Sequence, residues 1–109
     1  MANFNARLPA VFGALSDPTR LAVVERLMRG PASVSELAKP FDMAGPSFLK
    51  HLTVLEEAGL ARSEKKGRVR TVTLRPAALH SVEKWVARHR DLWERRLDEL
   101  GTFLAKGKR

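Results

Sequence analysis

Cysteine and tyrosine are absent from the 109 residues, acidic side chains are scarce, and no long apolar run occurs. Without cysteine there is no disulfide, no thiolate-held zinc and no cysteine nucleophile. A membrane-spanning helix needs roughly 18 or more consecutive apolar residues, and none are available. The N-terminal MANFNARLPA lacks the basic and apolar regions of a signal peptide, so a cytoplasmic location is expected. Twelve Asp and Glu stand against 20 Lys and Arg, leaving a formal charge of +8 and a pI near 10.9, which favours polyanionic partners. No Gly-rich phosphate loop or nucleophile motif is present, and His51 lies in a different helical segment from His80 and His89, so no catalytic set converges. No repeat or low-complexity linker divides the chain. A single domain over residues 1–109 is expected, without a cofactor and without a membrane partner.

What is present centres on Ser33 to Leu60. Ser33 followed by Glu36 is a capping-box signature, and Val34, Leu37 and Ala38 continue it at helical spacing until Pro40 removes a donor and stops the helix. Phe41, Asp42 and Met43 make a turn. A second helix begins near Gly45 with Pro46 at an early position, carries Phe48, Leu52 and Leu55 on one face, and ends at Ala58 with Gly59 beyond. Ser47, Leu49, Lys50 and Thr53 are left outward. Two short helices across a tight turn, over about 33–58, read as a helix-turn-helix whose second helix suits a major groove about 12 Å wide. An ordinary helical hairpin is the alternative on this stretch alone.

Upstream, Leu8, Val11, Phe12 and Leu15 mark one face of a helix that follows a polar, frayed start over residues 1–7. Ser16 or Asp17 caps the next helix, with Pro18 early and Leu21, Val24, Leu27 and Met28 continuing it to Gly30 and Pro31. Arg20, Glu25, Arg26 and Arg29 form its solvated side, a phosphate contact by Arg20 being the alternative.

Downstream, about 60–74 changes to β-branched residues and charges around Lys66-Gly67, which reads as a two-stranded hairpin with Gly67 in the turn. Arg62, Lys65, Lys66, Arg68 and Arg70 are opposed there only by Glu64, a charge suited to a phosphate backbone. Pro76 then introduces a helix over about 77–104. Leu79, Val82, Trp85, Val86, His89, Leu92, Trp93, Leu97, Leu100, Phe103 and Leu104 form one broad stripe along it. At about 40 Å it overruns a compact domain whose radius of gyration would be about 13 Å. A second copy of the same helix is the most economical cover, with Trp85, His89, Leu92, Trp93, Leu97 and Leu100, joined by Leu8 and Phe12, as candidate dimer contacts. Lys106, Lys108 and Arg109 form a basic, disordered tail.

Taken together, LSDPTRLAVVERL, KHLTVLEEAGL, SEKKGRVRTVTL and the long closing helix resemble the ArsR-type winged helix-turn-helix transcription regulators over nearly the whole chain. The fold class that follows is mainly α with a small β-hairpin and a C-terminal dimerisation helix. The resemblance implies a homodimeric repressor of double-stranded DNA, placing one recognition helix per subunit in half-sites about 34 to 36 Å apart on a near-palindromic operator. By position in the family motif, Ser47, Leu49 and Lys50 face the groove, with Pro46 and His51 beside them and Arg68 and Arg70 on the wing. Many relatives carry small hydroxyl residues in place of Pro46 and Leu49, so Leu49 would meet a thymine methyl. GPSFLKHL also resembles a subgroup whose genes often neighbour one for a START-like ligand-binding protein, which implies a genetic context and not an activity.

Metal sensing is not expected. The segment SELAKPFD, where metal sensors of the family place a thiolate pair, has no sulfur ligand. His80 and Glu83 share a helix face, and His89 and Asp91 follow, but the upstream Asp-x-His half of the family's second metal pattern is missing, short of a full tetrahedral set. A surface His80 and an interface His89 are expected instead. The residues single out no small-molecule effector. A basic dimeric adaptor with only non-specific DNA affinity is the competing function.

Overall fold

In the computed structural model, which describes residues 4–107, α1 (Phe4–Leu15) and α2 (Pro18–Leu27) lead into a two-residue strand, β1 (Ala32–Ser33). Then come α3 (Val34–Ala38), α4 (Gly45–Glu57), the strands β2 (Ala61–Lys66) and β3 (Val69–Leu74), and α5 (Pro76–Gly107). Local chemistry sets most of these boundaries. Asp17, not Ser16, caps α2, accepting from the Arg20 backbone N–H at 3.1 Å, while the Ser16 hydroxyl donates to Gly13 O at 2.6 Å. Ser33 Oγ accepts from Glu36 N at 3.1 Å and Glu36 Oε1 accepts from Ser33 N at 3.0 Å, the reciprocal capping box that starts α3.

α4 ends in a Schellman motif. Leu60 N donates to Leu55 O at 2.9 Å and Gly59 N to Glu56 O at 3.0 Å, with Gly59 at φ +78°, a left-handed conformation that suits glycine. Leu55 and Leu60, which flank that motif, are both fully buried. The hairpin pairs Lys66 with Val69, leaving Gly67 (φ +62°) and Arg68 as the turn; glycine at the first central position fits a type II′ geometry. At its base Arg75 N donates to Leu60 O at 2.8 Å.

Phe48, Leu52 and Leu55 of α4 meet Val23, Val24 and Leu27 of α2, Leu37 of α3, Val11 and Ala14 of α1 and Val72 of β3 in one core. The sheet has a third strand that the sequence does not announce. β1 pairs antiparallel with β3, Ala32 opposite Val72, giving the order β1-β3-β2. Two residues are too few to show an alternating pattern.

The helix faces also rotate away from the expected ones. In α2 the buried arc is Val23, Val24 and Leu27, which leaves Leu21 and Met28 exposed at its edges. In α1 it is Leu8, Val11 and Ala14, and Phe12 is pushed outward, edge-on to Trp85 at 5.5 Å. Of the frayed start expected over residues 1–7, Phe4 to Arg7 are helical and residues 1–3 lie outside the described residues.

α5 is 32 residues long, about 48 Å at 1.5 Å per residue, and reaches Gly107 instead of stopping near Leu104. Lys106 is therefore helical; Lys108 and Arg109 lie outside the described residues. Ala78, Leu79 and Val82 pack on the core, whereas every residue from Asp91 to Gly107 is exposed. The molecule measures 71 × 37 × 22 Å with a radius of gyration of 19.2 Å, well above the roughly 13 Å of a compact chain of this size.

Candidate nucleic-acid interface

With Phe48, Leu52 and Leu55 turned into the core, α4 exposes the opposite side. Pro46, Ser47, Leu49, Lys50, Thr53 and Val54 are all exposed, and Ser47, Lys50, His51 and Val54 recur at the spacing of one helical stripe. The Thr53 hydroxyl donates back to Leu49 O at 3.0 Å within the same helix. Ala44, the N-cap, offers no side-chain acceptor, so the first turn keeps backbone donors that no cap occupies.

His51 differs from its neighbours on this stripe. It is partly buried, and its Nδ1 lies 3.1 Å from Arg20 Nη1 and 3.7 Å from Asp17 Oδ2. Arg20 is correspondingly not part of a solvated helix side. Its Nε donates to Ala14 O at 2.7 Å and Nη2 to Gly13 O at 3.3 Å, so one guanidinium joins the end of α1 to α4. Arg26, also expected in solvent, is partly buried and donates to Gly30 O at 3.2 Å. Asp17 has its carboxyl held below the usual carboxylate range, first by the Arg20 backbone N–H, with the charge of the Arg20 guanidinium acting in the same direction.

The cations of the hairpin are not equivalent. Arg62, Lys65, Lys66 and Arg68 are exposed. Arg70 lies on the face shared with Ser63 and Val72 and is drawn inward. Its Nε donates to Ser63 Oγ at 2.9 Å and its Nη2 to Glu56 Oε2 at 3.2 Å, while Ser63 Oγ donates to Glu56 Oε1. Arg70 thus ties the hairpin to the last turn of α4, and is not one of the uncommitted wing cations.

A family model described as a helix-turn-helix domain matches residues 15–64. The HTH-type transcriptional regulator Rv2034 of Mycobacterium tuberculosis is 41% identical over 69 residues, covering 63% of this chain and 64% of that protein. The match therefore spans just under two thirds of that relative's length. The transcriptional repressor SdpR of Bacillus subtilis is 30% identical over 76 residues, 70% of this chain and 84% of that protein. A solved ArsR family transcriptional regulator superposes with a TM-score of 0.79 at 54% identity, covering 86% of this chain and 97% of that one. The chain belongs to the ArsR family of transcriptional regulators. It is a DNA-binding regulator with a winged helix-turn-helix fold, and its relatives and its fold are those of regulators and not of enzymes.

In this ArsR-family chain the long helix carries a second exposed surface. Leu92, Trp93, Leu97, Leu100, Phe103 and Leu104 are all about half exposed or more, Trp93 at 66%. Trp85 stacks on His89 with centroids 4.2 Å apart, and His89 Nδ1 donates to Trp85 O at 2.8 Å. Leu8 does not share this surface. It is 6% exposed within its own chain, because the α1 arc that reaches the core includes it. His80 and Glu83 are exposed on α5, and among the described residues no group of three or more His, Asp or Glu is placed to hold a metal ion. No described helix is long and apolar enough to cross a membrane.

The residues missed in sequence are those that position others. The Asp17-Arg20 spacing shows a helix cap, but Arg20 meets His51 thirty-one positions away, and Glu56 meets Arg70 fourteen away. Opposite charge alone does not single out those pairings.

Proposed function

We propose that this regulator is a homodimeric repressor that sets α4 of each subunit into successive major grooves of a near-palindromic operator. The observation that carries the reading is the uncapped, outward face of α4, with Ser47, Leu49 and Lys50 exposed directly behind a fully buried Phe48-Leu52-Leu55 stripe. Ser47 and Leu49 supply sequence choice, Leu49 through apolar contact with a thymine methyl. Pro46 starts the helix at the groove. Lys50, Arg62, Lys65, Lys66 and Arg68 supply phosphate affinity. Arg70 serves the same interface indirectly, by holding the hairpin against α4.

Dimerisation is supported by α5. Its outer half has no core of its own, and a second copy would cover Leu92, Trp93, Leu97 and Leu100 along with the Phe12-Trp85-His89 aromatic group. Repression is supported by a relative that is itself named a repressor. The protein acts where the chromosome is, in the cytoplasm.

The test is selection of duplexes from a random-sequence pool, followed by fluorescence anisotropy at low and physiological salt. Enrichment of a two-fold symmetric motif with half-sites one helical turn apart, bound preferentially at physiological salt, is the expected result. Equal binding to all duplexes that vanishes as salt rises would leave a basic adaptor instead.

A further inference from the structure

We infer that Arg20 is a positioning residue which fixes the His51 ring as a neutral hydrogen-bond donor, so that His51 Nε2–H serves α4 as an uncharged contact to a DNA phosphate oxygen. The inference rests on the reading of α4 as the DNA-facing helix, and adds the identity of one contact and the residue that prepares it.

A guanidinium has donors only and stays charged. Arg20 Nη1 at 3.1 Å from His51 Nδ1 therefore requires a lone pair on Nδ1, which puts the ring proton on Nε2. Asp17 Oδ2 would favour a proton on Nδ1, but at 3.7 Å it lies beyond hydrogen-bond reach, and it already accepts from the Arg20 backbone N–H. The guanidinium is itself held by Ala14 O at 2.7 Å and Gly13 O at 3.3 Å, so the ring is oriented by a group that is fixed independently of it.

Nε2 has no hydrogen-bond partner among the described residues, and no buried side-chain nitrogen or oxygen there lacks one, so Nε2 is reached by solvent on a side chain that is 22% exposed. It lies on the same helical stripe as Ser47 and Lys50. A donor-only edge beside Lys50, backed by the Arg20 charge, is matched by an anionic acceptor; this favours a phosphate oxygen over a base edge.

Imidazole NMR of the full-length protein at neutral pH tests the first half without DNA. The expected signature is an unprotonated Nδ1 and a protonated Nε2 at His51, with both tautomers appearing in Arg20→Met. A proton on Nδ1 in the wild type would overturn the inference. Should Arg20→Met fail to fold, the wild-type spectrum and the His51 variants still decide.

The second half is read by anisotropy on several unrelated duplexes across a salt series. His51→Leu is expected to weaken binding about tenfold per bound subunit on all of them, the size of one hydrogen bond to a charged acceptor. The slope of log affinity against log salt should be unchanged, because a neutral donor displaces no counterion. His51→Gln, whose amide places a donor near Nε2, should recover most of the loss, and His51→Asn should not. A slope reduced by about 0.9 per bound subunit would mean a charged His51, and a loss confined to some sequences would mean a base reader; either result defeats the assignment. Failure of the proposed operator selection would leave these readings intact, since they need no specific sequence.

Discussion

Arg70 and Glu56 meet at 3.2 Å, joining the second strand of the hairpin to the last turn of α4. Ser63 bridges them, accepting from Arg70 and donating to Glu56. The hairpin and the helix are thereby held as one unit through a three-residue polar contact at the edge of the core. Both charged partners are partly exposed, at 40% and 26%, so the pair acts more on orientation than on stability.

This division of labour separates two arginines only two positions apart. Arg68→Ala is expected to weaken the salt dependence of DNA affinity by about 0.9 in slope per subunit, as one phosphate contact is lost. Arg70→Ala should leave that slope unchanged and lower affinity through a misplaced hairpin, with less than about 1 kcal/mol of folding stability lost. A salt titration followed by anisotropy compares the two; an equal change of slope in both would return Arg70 to the phosphate contacts.

Trp93 and Leu8 make a second pair of contrasting expectations. Trp93→Asp places a carboxylate on the exposed apolar stripe of α5 and should give monomers in sedimentation, because burying that charge in an apolar interface is strongly unfavourable. Leu8→Ala removes a side chain that its own chain buries. It should cost about 2 to 4 kcal/mol in urea unfolding while the protein remains dimeric.

Acid should unfold the protein partly through two helix caps. Asp17 and Glu36 are both depressed below their ordinary values, Asp17 chiefly by the Arg20 backbone N–H and Glu36 chiefly by that of Ser33. A depressed folded pKa means that the unfolded chain binds more protons in the acid range. The stability from these carboxylates is therefore complete above the ordinary range near about 4 and is lost as pH falls through their folded values. Asp17→Asn combined with Glu36→Gln keeps capping groups but removes the titration, so its urea midpoint should fall less steeply with acid than that of the wild type. Identical pH profiles would assign acid sensitivity to other carboxylates.

Gly59 offers a test of backbone strain free of packing. A Cβ built there meets nothing within 4 Å, so the effect of a side chain comes from the positive φ alone. Gly59→Ala should destabilise by about 1 to 2 kcal/mol, and Gly59→Asn by less, since Asn enters the left-handed region more easily. Thermal or urea unfolding measures both; equal losses would point to a cause other than backbone conformation.

The features readable from sequence are those decided within a few residues. Ser33 with Glu36 marks the start of α3, Gly59 after Ala58 marks the end of α4, and Gly67 marks the hairpin turn, each because one side chain or one backbone angle answers a local need. The buried face of α4 is equally plain, since Phe48, Leu52 and Leu55 follow a single helical period with no competing apolar stripe.

Faces with two candidate arcs were harder to read. Phe12 and Met28 are as apolar as their neighbours, and only the packing of α1 and α2 against the rest shows that Ala14 and Val23 take the inner positions. β1 exists because Ala32 and Ser33 happen to lie beside Val72 and Thr71.

The sequence by itself determined the order of the helices, the helix-turn-helix, the cationic hairpin and the overlong apolar helix, because these follow from local hydrogen bonding and from the period of apolar residues. Only the tertiary structure decided which charges remain available for DNA. Arg20 and Arg70 look like any other cation in sequence, and each is withdrawn by partners from a distant segment. Whether a guanidinium is committed depends on distances between elements, and a sequence period carries no such information.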